Sequence, residues 1–177
     1  MRCYFKVVLL RFLPFLLTLV LAVTSLFALQ HWADDQAADA LTPLLFQRAI
    51  VVDPGHGCFD PGVVGTTAGT LEKEICLDIS QKLAELLRAG GAVVTLTREQ
   101  DMALDDNKSG DLCARVEMTE NLTPAAFISI HGNSFPSAPG SHGAQVFYYA
   151  SNEQGRLLAE SLQQALVSQL QNTDRVA

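Results

Sequence analysis

The chain has 177 residues, enough for one domain of ordinary size, and a formal net charge of −7, which argues against a nucleic acid as its partner. Its four cysteines show no CxxC spacing, so neither a zinc ribbon nor a disulfide framework is indicated. The mean hydropathy of +0.20 is high for a fully soluble protein, and one N-terminal segment accounts for much of it.

The N-terminus has the pattern of a membrane anchor. Residues 1–11 include basic side chains, and residues 12–29 form an apolar run that as a helix would span about 27 Å, close to the roughly 30 Å core of a bilayer. The basic flank predicts that the rest of the chain is exported, and it argues against a buried helix of a soluble core. A cleaved signal peptide is the alternative, but Leu26 occupies the key position before Ala28, so no good Ala-x-Ala site is present. We therefore predict an uncleaved signal anchor, with the domain on the outer face of the cytoplasmic membrane.

Residues 30–44 are predicted to be a linker, because most of the stretch is acidic and alanine-rich without a strong apolar period. The domain is predicted over residues 45–177. Its elements follow the order β-α-β-α-β-β-α, which is typical of an α/β fold with a mostly parallel sheet flanked by helices. The predicted strands are Ala49–Val52, Ala92–Thr97, Ala125–Ile130 and Ala144–Tyr149, and the predicted helices are Leu71–Arg88, Leu112–Asn121 and Glu153–Leu170.

Two of the predicted strands are each followed by a histidine beside glycine, His56 and His131. The carboxyl ends of parallel strands meet at one edge of a sheet, where α/β proteins place their sites. Two histidines and one carboxylate form a standard zinc set with an open position. The alternative is that each histidine is an ordinary polar residue at a strand end. The other two, His31 and His142, lie in the membrane-proximal segment and in a Pro/Gly/Ser loop.

Two glutamates at the start of the first predicted helix, Glu72 and Glu74, are the candidate carboxylates. Glu72 would point back toward the loop after the first strand. A glutamate in a first helical turn is also favoured simply by the helix dipole, so the position alone does not prove a ligand. Cys58, two residues after His56, is a further candidate ligand or, more ordinarily, a small apolar side chain near the site.

Six short motifs occur in a specific order between Ala49 and the C-terminus. They are Asp53–Gly57, Asp60–Gly62, Glu72–Glu74, Thr97–Asp101, Leu112–Arg115 and Ile128–Asn133. In this order and spacing the chain resembles the zinc-dependent N-acetylmuramoyl-L-alanine amidases, which are cell-wall hydrolases with an α/β fold. The short N-terminal segment, residues 143–149 and residues 171–175 resemble the germination-specific branch that acts in the spore cortex. That branch removes stem peptides so that muramic-δ-lactam can form, which for a spore former implies the intermembrane cortex space.

The resemblance implies one Zn²⁺ held by three ligands, His56, Glu72 and His131, with Glu72 preferred because it stands before lysine as in the family. It implies hydrolysis of the amide between N-acetylmuramic acid and the first L-alanine of the stem peptide. Asn133 is a candidate substrate-binding residue, with a turn-stabilising side chain as the alternative. Arg98 and Arg115 match motif arginines and are predicted to be structural ion-pair partners, with a catalytic role as the alternative.

The resemblance also implies a second glutamate, on a late strand, as the general base and acid. The downstream carboxylates lie on or beside the last predicted helix, at Glu153, Glu160 and Asp174. We expect the family's base to lie beyond Ala177, so that residues 45–177 lack the C-terminal part of the catalytic domain. The alternatives are a zinc- or muropeptide-binding remnant without catalysis, a different zinc hydrolase, and a structural membrane protein without metal. The expected partners are peptidoglycan and the membrane, and the need for an activating protein stays open.

Overall fold

The computed structural model describes residues 20–33, 44–66, 68–132, 134–135, 137–138, 140–173 and 175–177. The chain divides into two compact units, Met1–Gly132 and Asn133–Ala177. The first unit contains the whole sheet, and the second contains one long helix with its connections.

Residues 20–33 form a helix, α1, whose side chains are exposed. Across the ranges given above, no helix combines the length and the hydropathy needed to cross a bilayer. Residues 12–19 of the predicted anchor and residues 34–43 of the predicted linker lie outside the described residues. The signal anchor therefore stays a prediction.

A parallel sheet of three strands, in the order β2-β1-β3, forms the centre of the first unit. The strands are β1, Ala49–Pro54, β2, Val93–Leu96, and β3, Ala126–Ile130. The middle strand β1 is buried from Ile50 onward, as expected for a parallel strand covered on both faces. In register, Val52 pairs with Leu96 on one side and with Ile128 on the other. The predicted α/β class with a parallel sheet is confirmed.

Helix α2, Glu72–Ala89, packs on β1 and β2 through a face of small side chains. Cys76, Ser80 and Ala84 are spaced by four residues and are all buried, so the helix lies close to the sheet. Gly91 follows the helix with φ of +88°, a conformation that glycine adopts readily, and the chain turns there into β2. The buried core of this layer consists of Ile50, Val52, Ala84, Ala92 and Leu96.

Helix α3 is Lys108–Leu122, so it begins four residues before the predicted start at Leu112. The Asn107 side chain caps this end by accepting the Gly110 N–H at 2.9 Å. The first helical turn is polar and includes a glycine, so it lacks the apolar spacing that marks a helix in a sequence. The cap, rather than apolar spacing, therefore marks the true start.

The second unit contains helix α4, Glu153–Leu170, which was predicted with the same bounds. The predicted strand Ala144–Tyr149 is wrong, because these residues adopt no strand. The Val146 N–H donates to Oε1 of Gln163 at 2.8 Å, and Nε2 of Gln163 donates to the Ala144 carbonyl at 3.2 Å. Backbone groups that would pair in a sheet are thus bound by one side chain of α4. The observed order is β-α-β-α-β-α for the elements after α1.

Candidate metal centre

Three side chains converge at the carboxyl edge of the sheet. His56 lies two residues after β1, His131 directly follows β3, and Glu72 is the first residue of α2. Nε2 of His56 lies 3.0 Å from Oε1 of Glu72, Nδ1 of His131 lies 3.2 Å from the same oxygen, and the two nitrogens are 3.1 Å apart. In the part of the chain that the structure describes, this is the only group of His, Cys, Asp and Glu side chains placed to hold a metal ion.

The triangle of these three atoms has the size that a zinc ion requires. Zinc bonds to nitrogen and oxygen are close to 2.0–2.1 Å, so tetrahedral ligands lie about 3.3 Å from one another. The observed separations of 3.0, 3.1 and 3.2 Å are close to that value on every edge. Glu72 is buried, whereas the His131 side chain is 40% exposed, so one side of the triangle is open to a substrate. This donor set fits one Zn²⁺ with an open position.

The Glu72 carboxylate is held in its ionised form. Burial alone raises its pKa, but the N–H groups of Val63 and Gly132, each 2.8 Å away, and the His56 ring together outweigh burial and lower the pKa below its ordinary value. An ionised carboxylate is the form that binds a metal. Glu74, the other candidate, is exposed and does not belong to the group, because it lies on a different side of the first helical turn.

The close approach of the His131 ring explains why glycine precedes His56, at position 55. A side chain at Gly55 would overlap the imidazole of His131, so only glycine allows that ring to lie over the loop. His56 itself has φ of +61°, a left-handed conformation that is strained for a residue with a side chain. The loop that carries it, residues 53–60, is called the metal loop below.

Arg98 holds the carbonyl oxygens of the metal loop from inside the protein. It is 2% exposed and donates to four main-chain carbonyls, those of Pro54 at 3.0 Å, Gly55 at 2.8 Å, Lys73 at 2.8 Å and Gln100 at 3.1 Å. Burial, and then the neighbouring Arg115, lower the pKa of this guanidinium. Arg98 was predicted to be an ion-pair partner, but within the described residues its hydrogen bonds go to backbone carbonyls, and the guanidinium donates to several of them at once.

Arg115 makes the ion pairs that were predicted for it. It contacts Oδ1 of Asp53 at 2.6 Å and Oδ2 of Asp111 at 2.8 Å, and it also donates to the carbonyls of Pro54 and His56, each at 2.8 Å. Burial alone lowers the pKa of Arg115, but its two carboxylate partners outweigh burial and raise it. Because the second carbonyl belongs to His56, Arg115 links α3 directly to a candidate ligand.

Sequence reasoning missed two carboxylates that organise the site. Asp53 accepts hydrogen bonds from Thr97 at 2.6 Å and Ser129 at 2.7 Å, so it ties the ends of all three strands together. Asp60 lies 3.0 Å from Nδ1 of His56, the ring nitrogen that faces away from the other candidate ligands. A carboxylate four residues from a candidate histidine ligand was the available signal, because ligating histidines commonly bind a carboxylate through their second nitrogen.

The Asp60 carboxyl is also ionised. Burial raises its pKa, but the hydrogen bonds that it shares with His56, Lys108 and the Gly62 N–H outweigh burial and lower the pKa well below its ordinary value. Nζ of Lys108 lies 3.1 Å from the same oxygen that faces His56. The site thus has two ionised carboxylates, one on each side of the His56 ring.

The remaining candidates are not brought into the triangle. Cys58 is an exposed free cysteine and is not a member of the group, although its backbone is held by Lys73 at 2.8 Å and by Asp101 at 2.7 Å. His142 lies in the second unit, where its Nδ1 is 2.8 Å from the Gly140 carbonyl. Asn133, predicted to face the substrate, lies outside the described residues.

Known proteins match both this sequence and this fold. A sequence model of the family described as N-acetylmuramoyl-L-alanine amidase matches residues 50–177. The germination-specific N-acetylmuramoyl-L-alanine amidase of Bacillus subtilis is 35% identical over 176 residues, which are 95% of this chain and 72% of that protein. The N-acetylmuramoyl-L-alanine amidase LytC of the same organism is 32% identical over 142 residues, which are 79% of this chain and 27% of that protein.

A solved structure agrees with this result. The CwlD amidase from Clostridioides difficile, solved in complex with the GerS lipoprotein, has a TM-score of 0.68 and 32% identity, over 73% of this chain and 71% of that one. Together these similarities confirm the predicted resemblance: the chain belongs to the N-acetylmuramoyl-L-alanine amidases, a family of hydrolases that act on peptidoglycan.

Proposed function

We propose that this chain hydrolyses the amide bond between N-acetylmuramic acid and the first L-alanine of the stem peptide, using one Zn²⁺ bound by His56, Glu72 and His131. The observation that carries the proposal is the triangle of Nε2, Oε1 and Nδ1 atoms with edges of 3.0, 3.1 and 3.2 Å. Membership of the amidase family supplies the bond that is cut.

The roles of the chain's own residues follow from their surroundings. A zinc ion in such a site lowers the pKa of bound water and polarises the scissile carbonyl. The ionised Glu72 offsets part of the ion's charge, and its two backbone hydrogen bonds keep its oxygen directed at the two histidines. The exposed side of His131 leaves an approach for a polymeric substrate, which must lie on the surface of the protein.

Hydrolysis also needs a general base that accepts the proton of the attacking water. The family resemblance implies a glutamate for this role. Glu153 and Glu160, on α4, both bond to Arg156 and are not assigned this role. A general base typically contributes about 10²–10⁴-fold to the rate, and the alternative function is a zinc- or muropeptide-binding protein that is catalytically silent.

The biological setting is proposed from similarity. One relative is described as germination-specific, and the structural neighbour was solved with a lipoprotein. We infer that this chain acts on spore-cortex peptidoglycan, where it contributes to muramic-δ-lactam formation, and that it works with a protein partner. Export and attachment to the membrane through residues 12–29 complete the proposal.

The test measures zinc and amide cleavage in the same preparations. The full chain is compared with His131→Ala and with the matched control His142→Ala, which removes a histidine outside the triangle. We expect one zinc per chain in the parent and control, and none in His131→Ala. With purified peptidoglycan, we expect new free L-alanine amino groups that plain peptides do not yield.

The outcomes separate the alternatives. A parent protein without zinc would overturn the metal site. Bound zinc without release of L-alanine amino groups would establish the silent binding protein instead.

A further inference from the structure

The Asp60 side chain contacts the candidate metal centre without belonging to it. Its Oδ2 lies 3.0 Å from Nδ1 of His56 and 3.1 Å from Nζ of Lys108, and its Oδ1 accepts the Gly62 N–H at 3.2 Å. The group of three candidate ligands does not include it. Both carboxylate oxygens are therefore used in holding a loop and a ring, and not in binding the ion.

We propose that Asp60 is a positioning residue of the metal centre, which accepts the Nδ1–H of His56 and so directs the Nε2 lone pair of that ring at the zinc. This inference rests on the zinc site proposed above and deepens it. It concerns the tautomer and orientation of one ligand, and not the hydrolytic step itself.

The chemistry of the neighbouring groups leads to this assignment. A neutral imidazole has one N–H and one lone pair, and an ionised carboxylate can only accept. If Nδ1 carries the hydrogen, the His56 ring donates to Asp60, and Nε2 directs a lone pair at Oε1 of Glu72, 3.0 Å away. Two lone pairs at that distance repel one another unless a cation lies between them. The same tautomer therefore satisfies Asp60 and leaves a position between Nε2 and Oε1 that a metal ion can fill.

The loop is built so that Asp60 returns beside the ring. The N–H of Gly57 donates to the Asp60 carbonyl at 3.0 Å, and the N–H of Asp60 donates to the Gly57 carbonyl at 2.9 Å. This pair of hydrogen bonds closes a tight turn, while His56 adopts its left-handed conformation with φ of +61°. A strained conformation persists only where its surroundings over-determine it, and the contact with Asp60 is one of those restraints.

The two histidines of the triangle are oriented in different ways. The ring of His131 lies over Gly55, where a side chain would overlap it, and it meets the His56 ring edge to face with centroids 4.8 Å apart. His131 thus owes its position to packing. His56 has a charged hydrogen-bond partner on its second nitrogen, so its contribution to metal affinity should depend on that partner.

Lys108 is expected to contribute less to zinc binding than Asp60 does. Its side chain is 65% exposed, and ion pairs in such surroundings add little. It steadies the Asp60 carboxylate from the solvent side without touching the ring. We therefore expect Lys108→Met to weaken zinc binding no more than about fivefold.

The test is the affinity of the full chain for zinc, measured by competition with a chromophoric chelator, which needs no enzyme activity. Asp60→Ala should weaken zinc binding about 10–100-fold, as is typical for loss of the partner of a ligating histidine. Asp60→Asn keeps an oxygen that can accept the Nδ1–H, so it should lose less than Asp60→Ala. The matched control is Asp78→Asn, which removes an exposed carboxylate that is paired with Lys82 on the outside of α2.

A second readout reports the tautomer itself. Nitrogen-15 NMR of the metal-free chain should show His56 with hydrogen on Nδ1, and Asp60→Asn should retain this tautomer. Thermal unfolding of each variant identifies any that fail to fold. If Asp60→Ala fails to fold, the proposal is tested by the zinc affinity of Asp60→Asn and by the His56 tautomer in the parent chain.

The proposal is overturned if the folded Asp60 variants bind zinc within twofold of the parent, or if the parent ring carries hydrogen on Nε2. A parent chain that binds no zinc would instead overturn the proposed function, and this inference with it.

Discussion

The metal loop, residues 53–60, and the connecting segment, residues 144–149, are both non-helical stretches whose backbone is bound by side chains, but the side chains differ in kind. In the metal loop, carbonyl oxygens accept hydrogen bonds from the charged groups of Arg98, Arg115 and Lys73. In the connecting segment, a single neutral amide, that of Gln163, binds both Val146 and Ala144. Hydrogen bonds to charged groups are roughly twice as strong as neutral ones, so the metal loop is the more strictly specified of the two.

The difference has a functional reason. The metal loop must keep His56 in a left-handed conformation and within 3.0 Å of Glu72, and a small displacement would break the triangle. The connecting segment contains no candidate ligand, and its apolar side chains, such as Phe147 and Tyr149, are exposed. Strong restraints are therefore found where a candidate ligand is placed, and weak ones where the chain only makes a connection.

The largest expected effect comes from removing a charged restraint on the metal loop. Arg115→Met leaves the buried Asp53 carboxylate without its ion-pair partner, and it frees the His56 carbonyl. We expect a loss of about 3–5 kcal/mol in the free energy of unfolding, as is usual when one member of a buried pair is removed. Urea denaturation of the metal-free chain measures this loss.

The control for this change is Arg156→Met, on α4. Arg156 also pairs with two carboxylates, Glu153 and Glu160, but both are largely exposed, so the loss in the free energy of unfolding should be much smaller than for Arg115→Met. Equal losses for the two arginine variants would show that the buried contacts of Arg115 do not stabilise the metal loop more than exposed ion pairs would.

An intermediate loss of stability is expected when the Gln163 amide, which binds the backbone of the connecting segment, is removed. Gln163→Met leaves three backbone groups without their partner, the Val146 N–H and the carbonyls of Ala144 and Arg175. Because buried polar groups without partners are unfavourable, we expect a loss of about 1–3 kcal/mol. Hydrogen exchange at the Val146 amide should become faster.

The neighbouring Gln164 provides the matched comparison, since it is exposed on the same helix. Gln164→Met should leave both the stability and the exchange rate at Val146 unchanged. If exchange at that amide is equally slow in Gln163→Met, the side chain of Gln163 is not what orders the connecting segment.

The smallest effect is a dependence on pH. Hydrogen bonds from Lys73 and from the Cys58 N–H lower the pKa of Asp101 in the folded chain. A lowered pKa means that the ionised form favours folding, so this contribution is present above the unfolded value of about 3.9 and is lost as the pH falls through the folded value. At neutral pH we expect Asp101→Asn to lose under about 1 kcal/mol, because Asp101 is 54% exposed.

The measurement is urea denaturation of the metal-free parent and Asp101→Asn between pH 7 and pH 2. The difference between their free energies of unfolding should shrink as the pH falls below about 4. A difference that stays constant across this range would mean that the charge of Asp101 does not restrain the Cys58 end of the metal loop.

Local patterns were sufficient for much of the fold. Apolar runs predicted β1 and β3, a helical spacing of apolar residues predicted α2, and Gly90 and Gly91 marked its end. The prediction of α3 began too late, because its first turn is polar and is set by the Asn107 cap. The predicted strand at residues 144–149 failed because alternating apolar residues make a strand only when a neighbouring strand accepts their backbone groups, and Gln163 binds them here.

The sequence by itself determined the α/β class, the family, and the expectation that His56 and His131 meet, since both follow parallel strands that end at one edge of a sheet. Only the tertiary structure decided that Asp60 faces the second nitrogen of His56 and that two buried arginines hold the metal loop. The physical reason is the range of the interactions. Periodicity and turn residues act between near neighbours, whereas Arg98 and Arg115 bind groups about 25–60 residues away in the chain, and such pairings leave no local pattern.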